Sequence, residues 1–173
     1  MKISLHVNGT FFDLDASPGD SLLKVLRAQG NFGVKHGCET GECGACTILL
    51  DGQAVRSCIM LAVQADGASL MTVEGLAHNG QLHPIQEAFM ESHGLQCGFC
   101  TPGFLMSVYE LLGENPDPTD EEIKDALGGE LCRCTGYQSI MESVRLAAAK
   151  LRAARAAAGA EPAADDSPVV PRT

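Results

Sequence analysis

No stretch of this 173-residue chain approaches the ~18 consecutive apolar residues that a membrane-spanning helix requires. The first nine residues, MKISLHVNG, alternate in character and lack the continuous apolar core of a signal peptide. These absences point to a cytoplasmic location without membrane insertion; export alongside a folded, signal-bearing partner is the alternative. Basic residues are scarce too. Twelve lysines and arginines stand against 22 acidic residues, and the net charge of −10 argues against nucleic acid as a partner. The plain reading of that acidity is a solvated surface. There is no internal repeat. His6, His78, His83 and His93 show no metal-ligand spacing.

Cysteine is what the chain does have. Eight cysteines in a chain of cytoplasmic character are poor candidates for disulfides, because that compartment keeps thiols reduced. They fall into two groups of four with none left over. In GCETGECGACT (Gly37 to Thr47), Cys38, Cys43 and Cys46 are separated by four and then two residues, and Cys58 follows after eleven more. That is the C-x4-C-x2-C…C spacing of a plant-type [2Fe–2S] site. A loop aiming several sulfurs into one small volume must fold tightly, and Gly37, Gly41 and Gly44 supply positions without a Cβ. Such a loop also turns backbone N–H groups toward anionic sulfur.

The second group is Cys97-Gly-Phe-Cys100 and Cys132-Arg-Cys134. Each pair precedes a predicted helix, where free N–H groups and the helix dipole favour negative charge. A thioredoxin-like redox pair would leave Cys132 and Cys134 unexplained. A four-cysteine zinc site is chemically sound for either group, and scattered structural thiols are a third reading. Gln96, directly before Cys97, is on local evidence a polar loop residue. His36 beside Gly37 is an exposed loop histidine or a group that tunes the first centre. Met60, Met90, Met106 and Met141 fall on apolar stripes and are expected in the core.

Residues 3–7 and 10–14 predict strands joined by Asn8-Gly9 in a type I′ hairpin. Asp20 or Ser21 predicts the cap of a helix to Gln29 that buries Leu22, Leu23, Val25 and Leu26. After the cysteine loop, Cys46–Leu50 reads as a strand ending at Asp51-Gly52, and Ser69–Val73 as another. Beyond Gly75 the pattern is helical: His83–Ser92; a helix to Gly113 capped by Thr101 with Pro102 at its first position; Thr119–Leu127 opened by a capping box; and Gln138–Ala154. The fold class is therefore α+β. An N-terminal unit over 1–75 precedes an all-α, four-helix unit over 76–158, and the alanine-, proline- and acid-rich segment 159–173 is expected to be disordered.

GCETGECGACT, Cys58, QCGFCTPG (Gln96 to Gly103) and LCRCTGY (Leu131 to Tyr137) together resemble the iron–sulfur subunit of the xanthine oxidase family of molybdenum hydroxylases, in its bacterial three-subunit form. The resemblance covers about residues 2–150. It implies a β-grasp, plant-type ferredoxin-like domain followed by a four-helix domain, each with a [2Fe–2S] cluster. The first is held by Cys38, Cys43, Cys46 and Cys58, the second by Cys97, Cys100, Cys132 and Cys134. It further implies that electrons pass from a molybdopterin centre, in a dinucleotide form, through the second cluster and then the first to FAD. By the same resemblance Gln96 hydrogen-bonds the pterin and Cys134 lies beside it.

This chain is too short for molybdenum or flavin domains and has no dinucleotide-binding fingerprint. The expected partners are therefore a large molybdopterin-binding subunit and a medium FAD-binding subunit, in a dimer of heterotrimers. The segment ETGEC resembles that of hydroxylases of purines, N-heterocycles or aldehydes more than that of carbon monoxide dehydrogenases. A carbon monoxide dehydrogenase small subunit is one alternative function, a free-standing ferredoxin-type carrier a second and a zinc-stabilised module a third.

Overall fold

The computed structural model describes residues 1–158; segment 159–173, expected to be disordered, lies outside the described residues. β1 (Lys2–Val7) pairs antiparallel with β2 (Thr10–Asp15) in the register Lys2↔Asp15 to Val7↔Thr10. The turn is the expected one: Asn8 and Gly9 both have positive φ, 50° and 79°, as a type I′ hairpin demands. Ile3, Leu5 and Val7 of β1 are buried, the period-2 signature of a strand with one face on a core.

α1 (Leu22–Ala28) crosses that face and buries Leu22, Leu23, Val25 and Leu26. Ser21 caps it, its hydroxyl accepting from the Lys24 N–H at 3.3 Å. β3 (Thr47–Leu50) and β4 (Gln53–Arg56) form a second antiparallel hairpin, turned by Asp51 and Gly52 at φ 49° and 86°. β5 (Ser69–Met71) enters between β1, to which it is parallel, and β3, to which it is antiparallel. The sheet order is β2-β1-β5-β3-β4, a mixed sheet grasping one helix.

Four helices follow: α2 (Pro84–Glu91), α3 (Thr101–Glu114), α4 (Asp120–Leu127) and α5 (Gln138–Ala158). α2 packs on α5 and α3, α3 on α4, and α4 on α5, which closes a four-helix core around Phe89, Phe104, Met106, Leu112, Ile123, Ile140 and Val144. β3 joins the two halves. Ile48 is buried in the first core and Leu49 in the helical one, because successive side chains of a strand point to opposite faces. Full burial of one such side chain is worth roughly 1.5–3 kcal/mol, so β3 ties both cores to one strand.

Several boundaries differ from expectation. β4 has no strong strand pattern of its own and forms because the Asp51-Gly52 turn folds it back on β3. The last strand stops at Met71, and Val73–Gly75 closes a 3₁₀ turn. Thr101 is the first residue of α3 and not its cap; Cys100 holds that place in αR conformation, and the buried Thr101 hydroxyl finds no partner among the described residues. α5 runs past Ala154 to Ala158. Met90 is 59% exposed, unlike the fully buried Met106.

Candidate metal centres

The first cysteine group occupies the loop from α1 to β3 and the turn after β4. Glu39, Gly41 and Gly44 in this loop have φ of 59°, 82° and 73°. At Gly37 the constraint is space, since a Cβ there would stand 2.7 Å from the Cys43 sulfur. Cys58 is delivered by a segment docked on the start of α1: the Leu22 and Leu23 N–H groups donate to Met60 O and Ser57 O at 2.8 and 3.0 Å. These are helix N-terminal donors that need partners. Ser57 Oγ donates to Cys46 O at 2.8 Å, which joins the Cys58 turn to the loop.

Within each group the thiols come together in pairs. Cys38 lies within hydrogen-bonding reach of Cys43, and Cys58 of Cys46. In the second group Cys97 Sγ and Cys134 Sγ are 3.6 Å apart, and Cys100 adjoins Cys132. Among the described residues no three His, Cys, Asp or Glu side chains group as they would around a single metal ion. Thiols brought together two by two suit a binuclear group with two thiolates per iron.

Donors are set around the sulfurs. The Thr40 N–H donates to Cys38 Sγ at 3.4 Å, and the Thr135 hydroxyl and N–H donate to Cys132 Sγ at 3.1 and 3.4 Å. The Thr40 hydroxyl and N–H, with the Cys43 N–H, draw the Cys38 thiol down to about 6. At Cys132 burial opposes ionisation, but the Thr135 hydroxyl and N–H outweigh it and lower the thiol below its ordinary value. Burial pushes Cys58 up to about 11 and Cys100 up to about 12. Donors that favour thiolate, and buried thiols that ionise only with a cation beside them, suit metal ligation. The unpartnered Thr101 hydroxyl, next to Cys100, is a further donor suited to an acceptor in the second group.

The two groups differ in exposure. Cys46 is buried and its companions half-buried, whereas Cys97 and Cys134 are exposed, as is Gln96 beside them. His36 pairs with Glu39 at 2.7 Å on the surface and contributes no ligand geometry. Sequence reasoning assigned no role to Thr135, Tyr137 or Glu130. Tyr137, at φ 71°, accepts from the Cys132 N–H through its hydroxyl at 2.9 Å and so braces the second loop. Its place in the CTGY run was the available signal. Glu130 had none, because its partners are far away in the chain.

A β-grasp sheet and a four-helix unit, each presenting four paired thiols, define an iron–sulfur protein with two centres. A 2Fe-2S iron-sulfur cluster binding domain matches residues 5–72 and a [2Fe-2S] binding domain matches residues 72–145. The nicotine 6-hydroxylase small subunit of Paenarthrobacter nicotinovorans is 55% identical over 83% of this chain and 87% of the relative. The xanthine dehydrogenase iron-sulfur-binding subunit of Escherichia coli O157:H7 is 47% identical over 83% and 92%. Among solved structures, quinoline 2-oxidoreductase from Pseudomonas putida 86 superimposes with a TM-score of 0.85 at 44% identity, covering 88% of this chain and 96% of that one. The chain belongs to the iron–sulfur subunits of the xanthine oxidase family of molybdenum hydroxylases. It is the electron-transfer subunit of an oxidoreductase complex. None of its described helices is long and apolar enough to cross a membrane.

Proposed function

We propose that this chain conducts electrons from a molybdopterin centre in a large partner subunit, through two [2Fe–2S] clusters, to FAD in a medium partner subunit. Cys38, Cys43, Cys46 and Cys58 hold one cluster in a unit spanning 1–75. Cys97, Cys100, Cys132 and Cys134 hold the other in a unit spanning 76–158. The assembly is a dimer of heterotrimers in the cytoplasm, and its substrate is an N-heterocycle, a purine or an aldehyde. The names of relatives acting on nicotine, xanthine and quinoline support that substrate class.

When bound, each cluster supplies a one-electron relay; the protein's part is to hold it, tune it and aim it. The observation that carries the reading is the unequal exposure of two otherwise similar thiol quartets. Gln96, Cys97 and Cys134 share one exposed edge, which suits a centre meeting a cofactor held by another subunit. Gln96 has donors and an acceptor for the edge of a pterin, and the exposed Cys134 is the ligand sulfur proposed to lie beside it. The first quartet sits deeper, beneath its glycine-rich loop.

Native purification tests the proposal. A tag on this chain should recover a flavin-bearing and a molybdenum-bearing subunit in equal amounts. Recovery of the chain alone, with full iron, would instead make it a free-standing carrier.

A further inference from the structure

The junction between the two cysteine loops holds a carboxylate that the cluster chemistry does not use. Glu130 is 1% exposed. Its Oε1 accepts from Arg56 Nη1 at 2.7 Å and Ser107 Oγ at 2.8 Å, and stands 2.9 Å from Thr47 Oγ1, whose single proton it shares with Gly44 O. These donors come from β4, α3 and β3. Arg56 also donates to Gly129 O at 3.0 Å and to Thr47 Oγ1. Thr47 Oγ1 in turn bonds Gly44 O at 2.6 Å, inside the first cysteine loop.

Two glycines leave room for the Glu130 carboxylate. A Cβ on Gly44 would overlap it, and a Cβ on Gly103, in the first turn of α3 after Cys100, would stand 2.8 Å from its Oε2. The next residue, Leu131, donates its N–H to Cys43 O at 3.0 Å. The strand that leads to Cys58, the loop of Cys43 and Cys46, the helix that follows Cys100 and the segment that leads to Cys132 therefore meet at one side chain.

We propose that Glu130 is a positioning residue for electron transfer between the two clusters: clamped by Arg56, it fixes the separation and orientation of the two cysteine loops. The proposal rests on the reading that the quartets hold the clusters. Three groups, 23 to 83 residues away from Glu130 in the chain, converge on its Oε1, while Oε2, also buried, faces the loops with no partner among the described residues. A charge removed from water survives when paired and hydrogen-bonded, and removing one partner leaves the other unsatisfied. Loss of the carboxylate strands Ser107, takes from Arg56 its charged partner and leaves it only Gly129 O and Thr47 Oγ1, and so loosens the tie between the loops.

The test uses the intact complex with Glu130→Ala, Glu130→Gln and Arg56→Gln. Iron and acid-labile sulfide are measured first, then the magnetic interaction between the two reduced clusters by EPR and the inter-cluster rate by rapid mixing. Glu130→Ala is expected to keep its iron and both cluster signals. Its interaction splitting should broaden or shrink, and inter-cluster transfer should slow severalfold, because electron tunnelling falls steeply with the separation of the two centres. Glu130→Gln, which keeps the shape and the Oε1 acceptor, should restore most of both. Unchanged splitting and rate in Glu130→Ala overturn the proposal, and so does a Glu130→Gln defect as large as that of Glu130→Ala. Should Glu130→Ala lose iron, Arg56→Gln decides, with unchanged splitting and rate there overturning it. Zinc in place of iron in the unaltered complex would overturn the underlying cluster reading as well.

Discussion

Substituting Gly44 by alanine tests whether the two cysteine loops are as tightly interlocked as the geometry requires. Gly44 has φ +73°, a conformation that costs an L-residue roughly 1–2 kcal/mol. The added Cβ would overlap the Glu130 carboxylate and stand 2.6 Å from Gly129 O. Neither neighbour yields easily, since the carboxylate is held through its other oxygen by Arg56 and Ser107 and the other neighbour is backbone. Forcing such overlap costs a further ~1–3 kcal/mol. The total, about 2–5 kcal/mol, corresponds to a fall in Tm of roughly 4–20 °C at about 2–4 °C per kcal/mol. Two controls separate the causes. Gly136→Ala, at φ +66° with nothing within 4 Å of its Cβ, carries the backbone strain alone. Gly113→Ala, exposed in α3 and also unobstructed, should stabilise by roughly 0.5–1 kcal/mol, because alanine suits a helix interior better. Thermal unfolding of the three variants, with visible absorbance as the cluster readout, should rank Gly44→Ala well below Gly136→Ala. Equal melting of those two would refute the claim that the loops are packed against a fixed carboxylate.

Three further predictions follow from the same structure. Anaerobically purified protein should contain four irons and four acid-labile sulfides per chain, whereas two zinc ions with no sulfide would defeat the cluster assignment. Gln96→Ala should leave dithionite reduction intact but slow reduction by substrate, by ~1–3 kcal/mol if a buried partner atom is left unsatisfied; unchanged substrate-driven reduction with full cofactor loading would show that Gln96 has no such role. Thr119→Ala removes the cap of α4, where Thr119 Oγ1 accepts from the Glu122 N–H and the Glu122 carboxylate accepts from the Thr119 N–H. It should cost about 1 kcal/mol of stability and ~2–4 °C in Tm without changing iron content.

Much of this protein is legible in its residues because the informative signals are local. Asn8-Gly9, Ser21 and the Thr119–Glu122 box act over two to four residues, and the structure uses each as expected. The cysteine quartets stand out for a different reason, since their spacing matches a ligand pattern that little else imposes, and the structure brings thiols of each quartet together in pairs. What escaped were features set by distant partners. β4 exists because β3 is there to pair with it, and Glu130 is meaningful only once β3, β4 and α3 have been brought to it. Thr101 shows how a local rule loses to a site. The Thr-Pro pair has the form of a cap and first helical residue, yet α3 begins one residue earlier, so that Cys100 takes the helix N-terminus. Met90 lies on an apolar stripe, but α2 turns it outward.

Anaerobic reduction of the native complex, followed by low-temperature EPR, tests the central claim most directly. Two clusters with identical ligand types but unequal exposure and hydrogen bonding should differ in potential and anisotropy. Two distinct rhombic signals should therefore appear, each integrating to one spin per chain, and both should develop when substrate is the reductant. A single signal, or none with zinc accounting for the metal, would contradict the assignment of this chain as a two-cluster electron conductor.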